Sequence, residues 1–353
     1  VLEEVYGRPE TAGKLWEDIY ADHVSQLKMN MRCYEPGIIW EFDSLDELRA
    51  FDPIFIENVD SSILDNICRT LECSRSDIAD IVPIKQGLTN LSFRFSIPNG
   101  TFVYRHPGAG TDEIINRRSE AVSQKIARTL GLDETFVYED PETGWKISRF
   151  IHDCIPFDYH NDDHVNRGLE LGRRLHQSGQ KTEWSFDAEA LGIVKLLKAS
   201  ERTSFPDFDE IAEGVFKLHQ HLEADAIEPC LCHNDFYSPN FLINKECFYL
   251  IDWEYSGMSD YASDLGTFIC CSDYDEKQAR EVIARYFGRT PTSQEMRHCL
   301  AYVALSGFYW FAWAIYKEAQ GNPVGEWLYL WYRYAKDYIK IALPLYDKQE
   351  TER

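Results

Sequence analysis

The segments His233-Asn234-Asp235-Phe236-Tyr237-Ser238-Pro239-Asn240 and Ile251-Asp252-Trp253-Glu254-Tyr255 decide the fold. The residues between them are typical of a tight β-hairpin, with strands at 241–244 and 247–251. A His-x-Asp-x4-Asn loop that closes into such a hairpin brings Asp235, Asn240 and Asp252 around one small volume. Carboxylate and amide oxygens suit Mg²⁺, which is commonly held by one or two carboxylates together with substrate phosphates. The spacing therefore predicts a magnesium site.

These side chains fit the chemistry of phosphoryl transfer. That reaction needs a metal and a carboxylate that orients the nucleophile and accepts its proton, and kinases supply both from a catalytic loop and a following Asp. The alternative is that Asp235 and Asn240 are ordinary turn and cap residues. Each residue alone favours that alternative. The three together, with a hairpin of the right length between them, favour a kinase.

The composition limits the other classes of function. Among 353 residues, 36 Lys and Arg stand against 59 Asp and Glu, so the formal net charge is −23. A nucleic-acid partner is disfavoured because binding one needs a basic face, and an anionic membrane surface is disfavoured for the same reason. A hydrophobic content of 44% is sufficient for a large folded core.

Cysteines, the N-terminus and one apolar run bear on the location of the protein. None of the ten cysteines forms a C-x-x-C pair, and Val1-Leu2-Glu3-Glu4 lacks the pattern of a signal peptide. The run 300–316 has no charge, but Trp and Tyr occupy its middle, where a bilayer prefers Leu, Ile and Val. We therefore expect a cytoplasmic protein with reduced thiols, a buried helix at this run and no membrane insertion.

The pattern along the chain predicts an α+β fold. A small antiparallel lobe is expected from strands at 81–84, 91–97 and 101–105, a helix at 111–130 with Thr111 as its N-cap, and a hairpin at 135–138 and 145–151. A larger lobe is expected from helices near 164–178, 187–198, 207–223, 277–287, 292–319 and 323–346. The predicted boundaries define an N-terminal segment at 1–75, an N-lobe at 76–153 and a C-lobe at 154–353. The N-terminal segment should contain helices at 15–27 and 61–71 and a strand at 37–42.

The N-lobe carries candidates for ATP binding. Gly87, Thr89 and Asn90 lie in a turn between two strands, where backbone N–H groups can cover phosphates. Arg105 ends a strand and Glu120 lies in the following helix. Kinases pair a strand base with a helix acid to hold the α- and β-phosphates. A surface ion pair is the alternative interpretation.

The loop and hairpin quoted first resemble the catalytic loop and metal-binding motif of the choline/ethanolamine kinases, within the aminoglycoside phosphotransferase-like kinases. Further segments that resemble the bacterial choline kinases are Gly87-Leu88-Thr89-Asn90, Arg105-x-Pro-Gly, Asn116-Arg117-x-x-Glu120 and residues 171–176. The resemblance covers about residues 76–346, and Asp-Trp-Glu-Tyr separates this group from the antibiotic kinases. It implies a two-lobed protein-kinase-like fold and the ATP- and Mg²⁺-dependent phosphorylation of choline to phosphocholine.

The resemblance also implies roles for individual residues. It makes Asp235 the catalytic base and makes Asn240 and Asp252 the Mg²⁺ ligands. The remaining roles are ATP binding by Gly87, Thr89, Asn90, Arg105 and Glu120, and structural bracing by His233 and Asp264.

The uncharged run carries a candidate binding site for a quaternary ammonium. Such a cation cannot donate a hydrogen bond, so selective binding needs ring faces and nearby carboxylates. Trp310 and Trp313 are spaced i, i+3 on one helix, so they can line one wall. They match choline-binding tryptophans of the family, and Tyr255 and Glu254 match its aromatic and acidic partners. Without the resemblance, a core stripe would be the better interpretation.

The far wall of that pocket departs from the family pattern. After Asp264 the chain has Thr267-Phe268-Ile269-Cys270-Cys271, which lacks the acidic residue of the eukaryotic enzymes. Tyr274 is one candidate to fill the wall.

The first 75 residues resemble the C-terminal end of the cytidylyltransferases that activate phosphocholine, through 15–20, 40–44 and 51–52. The glycine-rich start of such a domain is missing, so we expect no cytidylyltransferase activity. An N-terminal extension that packs on the kinase is the alternative. Because the chain does not begin with Met, we expect a severed fusion with a cytidylyltransferase domain.

Two other functions stay open from the sequence. The first is the same chemistry on ethanolamine, an aminoglycoside or another small amino alcohol. The second is a non-catalytic pseudokinase scaffold, against which the presence of Asp235, Asn240 and Asp252 argues.

Overall fold

The computed structural model describes residues 16–28, 32–33, 45, 48–49, 61–84, 91–107, 115–185, 205–319 and 324–351. The chain divides into two compact units, residues 1–51 and 52–353. Helix α1 of the first unit covers Trp16–Asp22 and is shorter than the helix predicted at 15–27. The strand predicted at 37–42 lies outside the described residues. Helix α2, Ser62–Leu71, matches the prediction and begins where Ser61 Oγ accepts the Leu64 N–H at 3.3 Å.

The second unit continues with a five-stranded antiparallel sheet of spatial order β1-β2-β3-β5-β4. Its strands are β1 Ala79–Ile84, β2 Leu91–Ile97, β3 Gly100–His106, β4 Phe136–Glu139 and β5 Lys146–Arg149. Ile97 pairs directly with Gly100, whose φ of 136° requires glycine, so the predicted Asn-Gly hairpin is confirmed. The pairing of β3 with β5 places Arg105 opposite Lys146.

Helix α3, Arg117–Thr129, contacts both β4 and the 253–255 segment, so it joins the sheet to the loop motifs. The predicted start at Thr111 is wrong. Asn116 has extended backbone angles, and its side chain accepts the Ser119 N–H at 3.0 Å, which makes it the N-cap. An Asn at this position satisfies a free N–H of the first turn, and the helix therefore begins after it.

The C-terminal part is mainly helical. Its described helices are α4 Asp162–His176, α5 Phe208–Asp225, α6 Tyr261–Cys270, α7 Glu276–Phe287, α8 Ser293–Ala319 and α9 Trp327–Thr351. Helix α8 packs against α5, α6 and α9. Helices α6 and α8 approach closely at Gly266, where a Cβ atom would collide with the Tyr302 carbonyl oxygen. The helix predicted at 187–198 lies outside the described residues.

Helix α8 contains the uncharged run. It is long and apolar enough to cross a membrane by length and composition, with a mean hydropathy of 1.4, but 89% of its apolar window is buried inside the protein. The prediction of a buried helix is confirmed. A helix that is apolar on all sides needs cover on all sides, which α5, α6 and α9 supply.

Three short elements near the quoted motifs were missed from the sequence. These are helix α6 and the paired strands β6 Cys230–Cys232 and β9 Gly257–Ser259. Every residue of α6 after Tyr261 is buried, so no amphipathic pattern marks it, and three-residue strands are too short to show a period of two. The predicted hairpin is confirmed as β7 Phe241–Ile243 and β8 Phe248–Leu250.

Candidate active site

The loop at 233–240 is anchored by Asp264 of helix α6. Asp264 Oδ1 accepts the Asn234 N–H at 2.6 Å, and Oδ2 accepts the His233 N–H at 3.0 Å. His176 Nε2 of helix α4 lies 2.8 Å from the same Oδ2. Burial disfavours the carboxylate, but the hydrogen bond from His176 holds the pKa of Asp264 below its usual range. The loop backbone is therefore tied to a buried, charged carboxylate.

His233 links this loop to the second motif. Its Nε2 lies 2.9 Å from the Ile251 carbonyl oxygen, and its ring packs edge-on against Trp253 at 4.7 Å between centroids. Burial lowers the pKa of His233, so the ring is neutral and Nε2–H donates to that carbonyl. This contact fixes the distance between the two motifs.

Asp235 and Asn240 lie side by side. Asn240 Nδ2 donates to Asp235 Oδ2 and to the Asp235 carbonyl oxygen, both at 2.8 Å. The amide nitrogen is thereby used on the loop itself, and Asn240 Oδ1 is the atom left to act as a ligand. Burial, followed by the nearby Asp252 carboxylate, raises the pKa of Asp235 well above its usual range.

Asp252 directly follows Ile251, the residue that is hydrogen-bonded to the Asn240 backbone. The Ile251 N–H donates to the Asn240 carbonyl oxygen at 2.9 Å, and Asp252 then adopts the left-handed conformation with φ 66°. Its side chain is 34% exposed, so the carboxylate reaches the space in front of the loop. Carboxylate and amide oxygens at Asp252 and Asn240 are the ligands that Mg²⁺ prefers, and this donor set fits that ion.

Arg105 and Glu120 form the ion pair that the sequence predicted, through Arg105 Nη2 and Glu120 Oε1. Both side chains are buried, so the alternative of a surface pair is wrong. Arg105 Nη1 also lies 3.1 Å from Asp252 Oδ1 and 3.6 Å from Glu254 Oε2. The guanidinium therefore connects the N-lobe sheet to the second motif.

Sequence reasoning missed three buried charged residues beside this pair. Lys146 Nζ lies 3.5 Å from Glu120 Oε1, and Arg117 Nη1 lies 3.0 Å from Glu120 Oε2. Glu139 lies 3.7 Å from Arg105, and burial together with Glu120 raises its pKa to about 8. The alternation along β4 and β5 could have placed Glu139 and Lys146 on one sheet face, but only the pairing of the strands brings them to Arg105.

Glu254, which belongs to the second motif, lies close to two of the basic groups. Its carboxylate is 3.6 Å from Arg105 and 3.8 Å from Arg117, and only 2% of its side chain is exposed. Oxygens of Glu120, Asp252 and Glu254 all lie within 4.8 Å of one another. The predicted substrate-binding Glu254 therefore also belongs to the carboxylate group around Arg105.

The predicted aromatic side chains form a continuous cluster. Tyr255 meets Trp310 at 5.5 Å between ring centroids, and Trp310 meets Trp313 at 5.7 Å. Trp331 of helix α9 contacts both tryptophans, at 5.9 and 6.3 Å. Trp327 stacks on Trp331 at 5.5 Å and continues the cluster towards Tyr237, two residues after Asp235. The two α9 tryptophans were missed because only the packing of α9 on α8 brings them here.

Thr267 and Tyr274, noted for the far wall, have other contacts. Trp310 Nε1 donates to Thr267 Oγ1 at 3.3 Å, and that hydroxyl donates to the Asn234 carbonyl oxygen at 3.4 Å. Tyr274 packs edge-on against Tyr159 at 5.9 Å. The remaining predicted residues, Gly87, Thr89 and Asn90, lie outside the described residues, as do residues 40–44 and 51–52.

Comparison with known proteins shows which families the chain is similar to. Residues 158–299, which contain both quoted motifs, match the family model described as "Phosphotransferase enzyme family". Over these residues the chain is similar to phosphotransferases. Protein LicA of Haemophilus influenzae is 25% identical over 256 residues, which cover 68% of this chain and 74% of that protein.

The solved structures agree with the fold. A choline/ethanolamine kinase family protein from Mesorhizobium loti is 26% identical, with a TM-score of 0.62 over 80% of this chain and 94% of that chain. The choline kinase LicA from Streptococcus pneumoniae is 23% identical, with a TM-score of 0.66 over 79% and 97%. A structure of LicA in complex with AMP gives the same TM-score and identity over 80% and 99%. The predicted α+β, protein-kinase-like fold is confirmed.

Proposed function

We propose that this protein is a phosphotransferase of the choline kinase type, which transfers the γ-phosphoryl group of ATP to the choline hydroxyl. The observation that carries the proposal is the aromatic cluster beside the loop. Tyr255, three residues after Asp252, touches Trp310, which touches Trp313. Ring faces next to a carboxylate bind a quaternary ammonium, and each cation–π contact contributes about 0.5–2 kcal/mol.

Asp235 acts as the base in this proposal. Its Oδ2 accepts the Asn240 amide, so Oδ1 is the oxygen that orients the choline hydroxyl and receives its proton. A carboxylate whose pKa is raised by burial is a better proton acceptor than an ordinary one. The hydroxyl oxygen is thereby directed at the γ-phosphate for in-line attack.

Arg105 and the carboxylates around it serve the nucleotide. ATP as the phosphoryl donor is supported by the AMP complex of LicA. Asp252 and Asn240 would hold Mg²⁺, which neutralises charge on the phosphates when it is bound. Arg105 is held by Glu120 on one side and reaches Asp252 on the other, so its guanidinium is placed to contact phosphate oxygens beside the metal ligands.

A coupled ADP-release assay tests the proposal. We expect turnover with choline in a panel that also contains ethanolamine, a small amino alcohol and an aminoglycoside. Asp235→Asn should fold and bind ATP but lose about 10²- to 10⁴-fold in kcat, because the positioned base is removed. Asp337→Asn, an exposed change on α9, is the matched control.

Each other outcome has a defined meaning. Preferential turnover of ethanolamine or an aminoglycoside would replace choline as the proposed substrate and keep the proposed phosphoryl transfer. Wild-type kcat in Asp235→Asn would contradict the role of Asp235, and no ADP release with any substrate would favour a non-catalytic scaffold.

A further inference from the structure

The aromatic cluster already holds a cation that belongs to the protein. Lys317 lies one helical turn after Trp313 on α8, and its Nζ stands 5.6 Å from the centroid of the Trp313 ring. Only 8% of Lys317 is exposed. A lysine ammonium over an indole face is a cation–π contact, the same kind of contact that the proposed substrate requires.

The surroundings of Lys317 offer what a substrate cation needs, a ring face and a nearby carboxylate. Burial lowers the pKa of Lys317, whereas the Glu254 carboxylate acts in the opposite direction and favours the charged ammonium. Within the part of the chain that the structure describes, no carboxylate oxygen forms an ion pair with its Nζ. The ammonium is therefore held by a ring face and a more distant acid, and no close salt bridge has to break for it to move.

Two cations cannot share the face of Trp313. Like charges at van der Waals distance repel strongly in a partly buried site. The lysine stem has four rotatable methylene groups, so its ammonium can leave the ring while the helix backbone stays in place. A ligand cation that binds this face of Trp313 must therefore displace Lys317.

We propose that Lys317 is a resident competitor for the substrate's cation site, so that it sets the affinity of the protein for quaternary ammonium ligands. This inference rests on the proposed function, because it assigns the cation of that substrate to the Trp313 face. In the absence of substrate, the ammonium of Lys317 covers the ring and offsets the charge of Glu254. A bound quaternary ammonium takes over both contacts, and Lys317 moves towards solvent.

Calorimetric titration of the full chain with tetramethylammonium and with choline, without nucleotide, tests the inference. Lys317→Gln keeps a similar length but removes the charge, so we expect Kd for both ligands to fall by at least about threefold. Lys317→Arg keeps a cation over the ring and should leave Kd unchanged or raise it. Lys340→Gln, an exposed change on α9, is the control for net charge.

The outcomes separate this inference from the proposed function. If the wild type binds these ligands and Lys317→Gln binds them with equal or weaker affinity, the inference is overturned. The choline kinase proposal then stays in place. Failure of wild type and variants to bind either quaternary ammonium would overturn both. If Lys317→Gln does not fold, Lys317→Met, which is apolar and of similar length, takes its place in the same titration.

Discussion

Trp310 is tied to the loop that carries Asp235 through one hydroxyl, that of Thr267. The indole Nε1 donates to Thr267 Oγ1 at 3.3 Å, and the hydroxyl donates to the Asn234 carbonyl oxygen at 3.4 Å. The aromatic cluster and the proposed base are therefore positioned by the same side chain of helix α6. A change at Thr267 should disturb the orientation of the substrate relative to Asp235.

Thr267→Val tests this connection. Valine keeps the shape but leaves the indole N–H without its partner, which costs about 1–3 kcal/mol in a buried site. We expect a lower free energy of unfolding and a kcat/KM for choline reduced about tenfold or more, measured by urea denaturation and steady-state kinetics. Thr267→Ser keeps the hydroxyl and should stay close to the wild type. Equal losses in both variants would mean that the methyl group, and not the hydroxyl, matters.

Trp310→Ala should separate quaternary from primary ammonium substrates. The change removes the ring that joins Tyr255 to Trp313, and a quaternary cation depends on ring faces because it cannot donate hydrogen bonds. We expect KM to rise more for choline than for ethanolamine, by about fivefold or more in the ratio. Trp310→Phe keeps a ring face and should restore most of that ratio. An equal rise in KM for both substrates would mean that Trp310 only packs in the core and does not bind the quaternary ammonium.

Arg105→Lys should weaken nucleotide binding and the fold together. The guanidinium spans Glu120 and Asp252, whereas a lysine ammonium is a single point of charge and reaches one of them. We expect the free energy of unfolding to fall by about 1–3 kcal/mol and the KM for ATP to rise. Arg118→Lys, in the exposed pair with Glu142, is the matched control and should leave the free energy of unfolding close to the wild-type value. Wild-type values for Arg105→Lys would show that the forked geometry is unimportant.

His298 should make stability depend on pH. Its Nδ1 lies 3.0 Å from Asp225 Oδ2 and its Nε2 lies 2.8 Å from Asp260 Oδ2. Burial favours the neutral ring, but the two aspartates prevail and raise the pKa of His298. A histidine whose pKa is raised on folding stabilises the folded state. This stabilisation is complete when the pH is below the pKa in the unfolded chain, about 6.5, and it is lost as the pH rises through the pKa in the folded protein.

The comparison with His298→Gln isolates that contribution. His176 also has a raised pKa, but it is present in both proteins and cancels in the difference. We expect the free-energy difference between wild type and variant to be largest below about pH 6 and to shrink as the pH increases through the folded-state pKa. A difference that does not change with pH would contradict the assignment. Urea denaturation across the pH range provides the measurement.

Local patterns in the sequence were sufficient for the sheet, the hairpins and most described helices. The segment 98–100 predicts its hairpin because Pro and Asn favour turns and Gly100 adopts a φ of 136°, which residues with a side chain rarely take. The loop at 233–240 and the hairpin after it were also predictable, since the ligand spacing depends on chain geometry within some twenty residues. By contrast, α6 is buried on nearly all sides and shows no periodic pattern.

The site also depends on contacts between distant residues that the tertiary structure alone decided. Lys146 and Glu139 join Arg105 because of strand pairing, and Trp331 joins Trp310 because α9 packs on α8. From the sequence by itself came the residue types at the loop, the Arg105–Glu120 pair and the two tryptophans of α8. Whether each charge is buried, and which ring or acid it meets, is set by packing between elements, because such contacts leave no periodic signal along the chain.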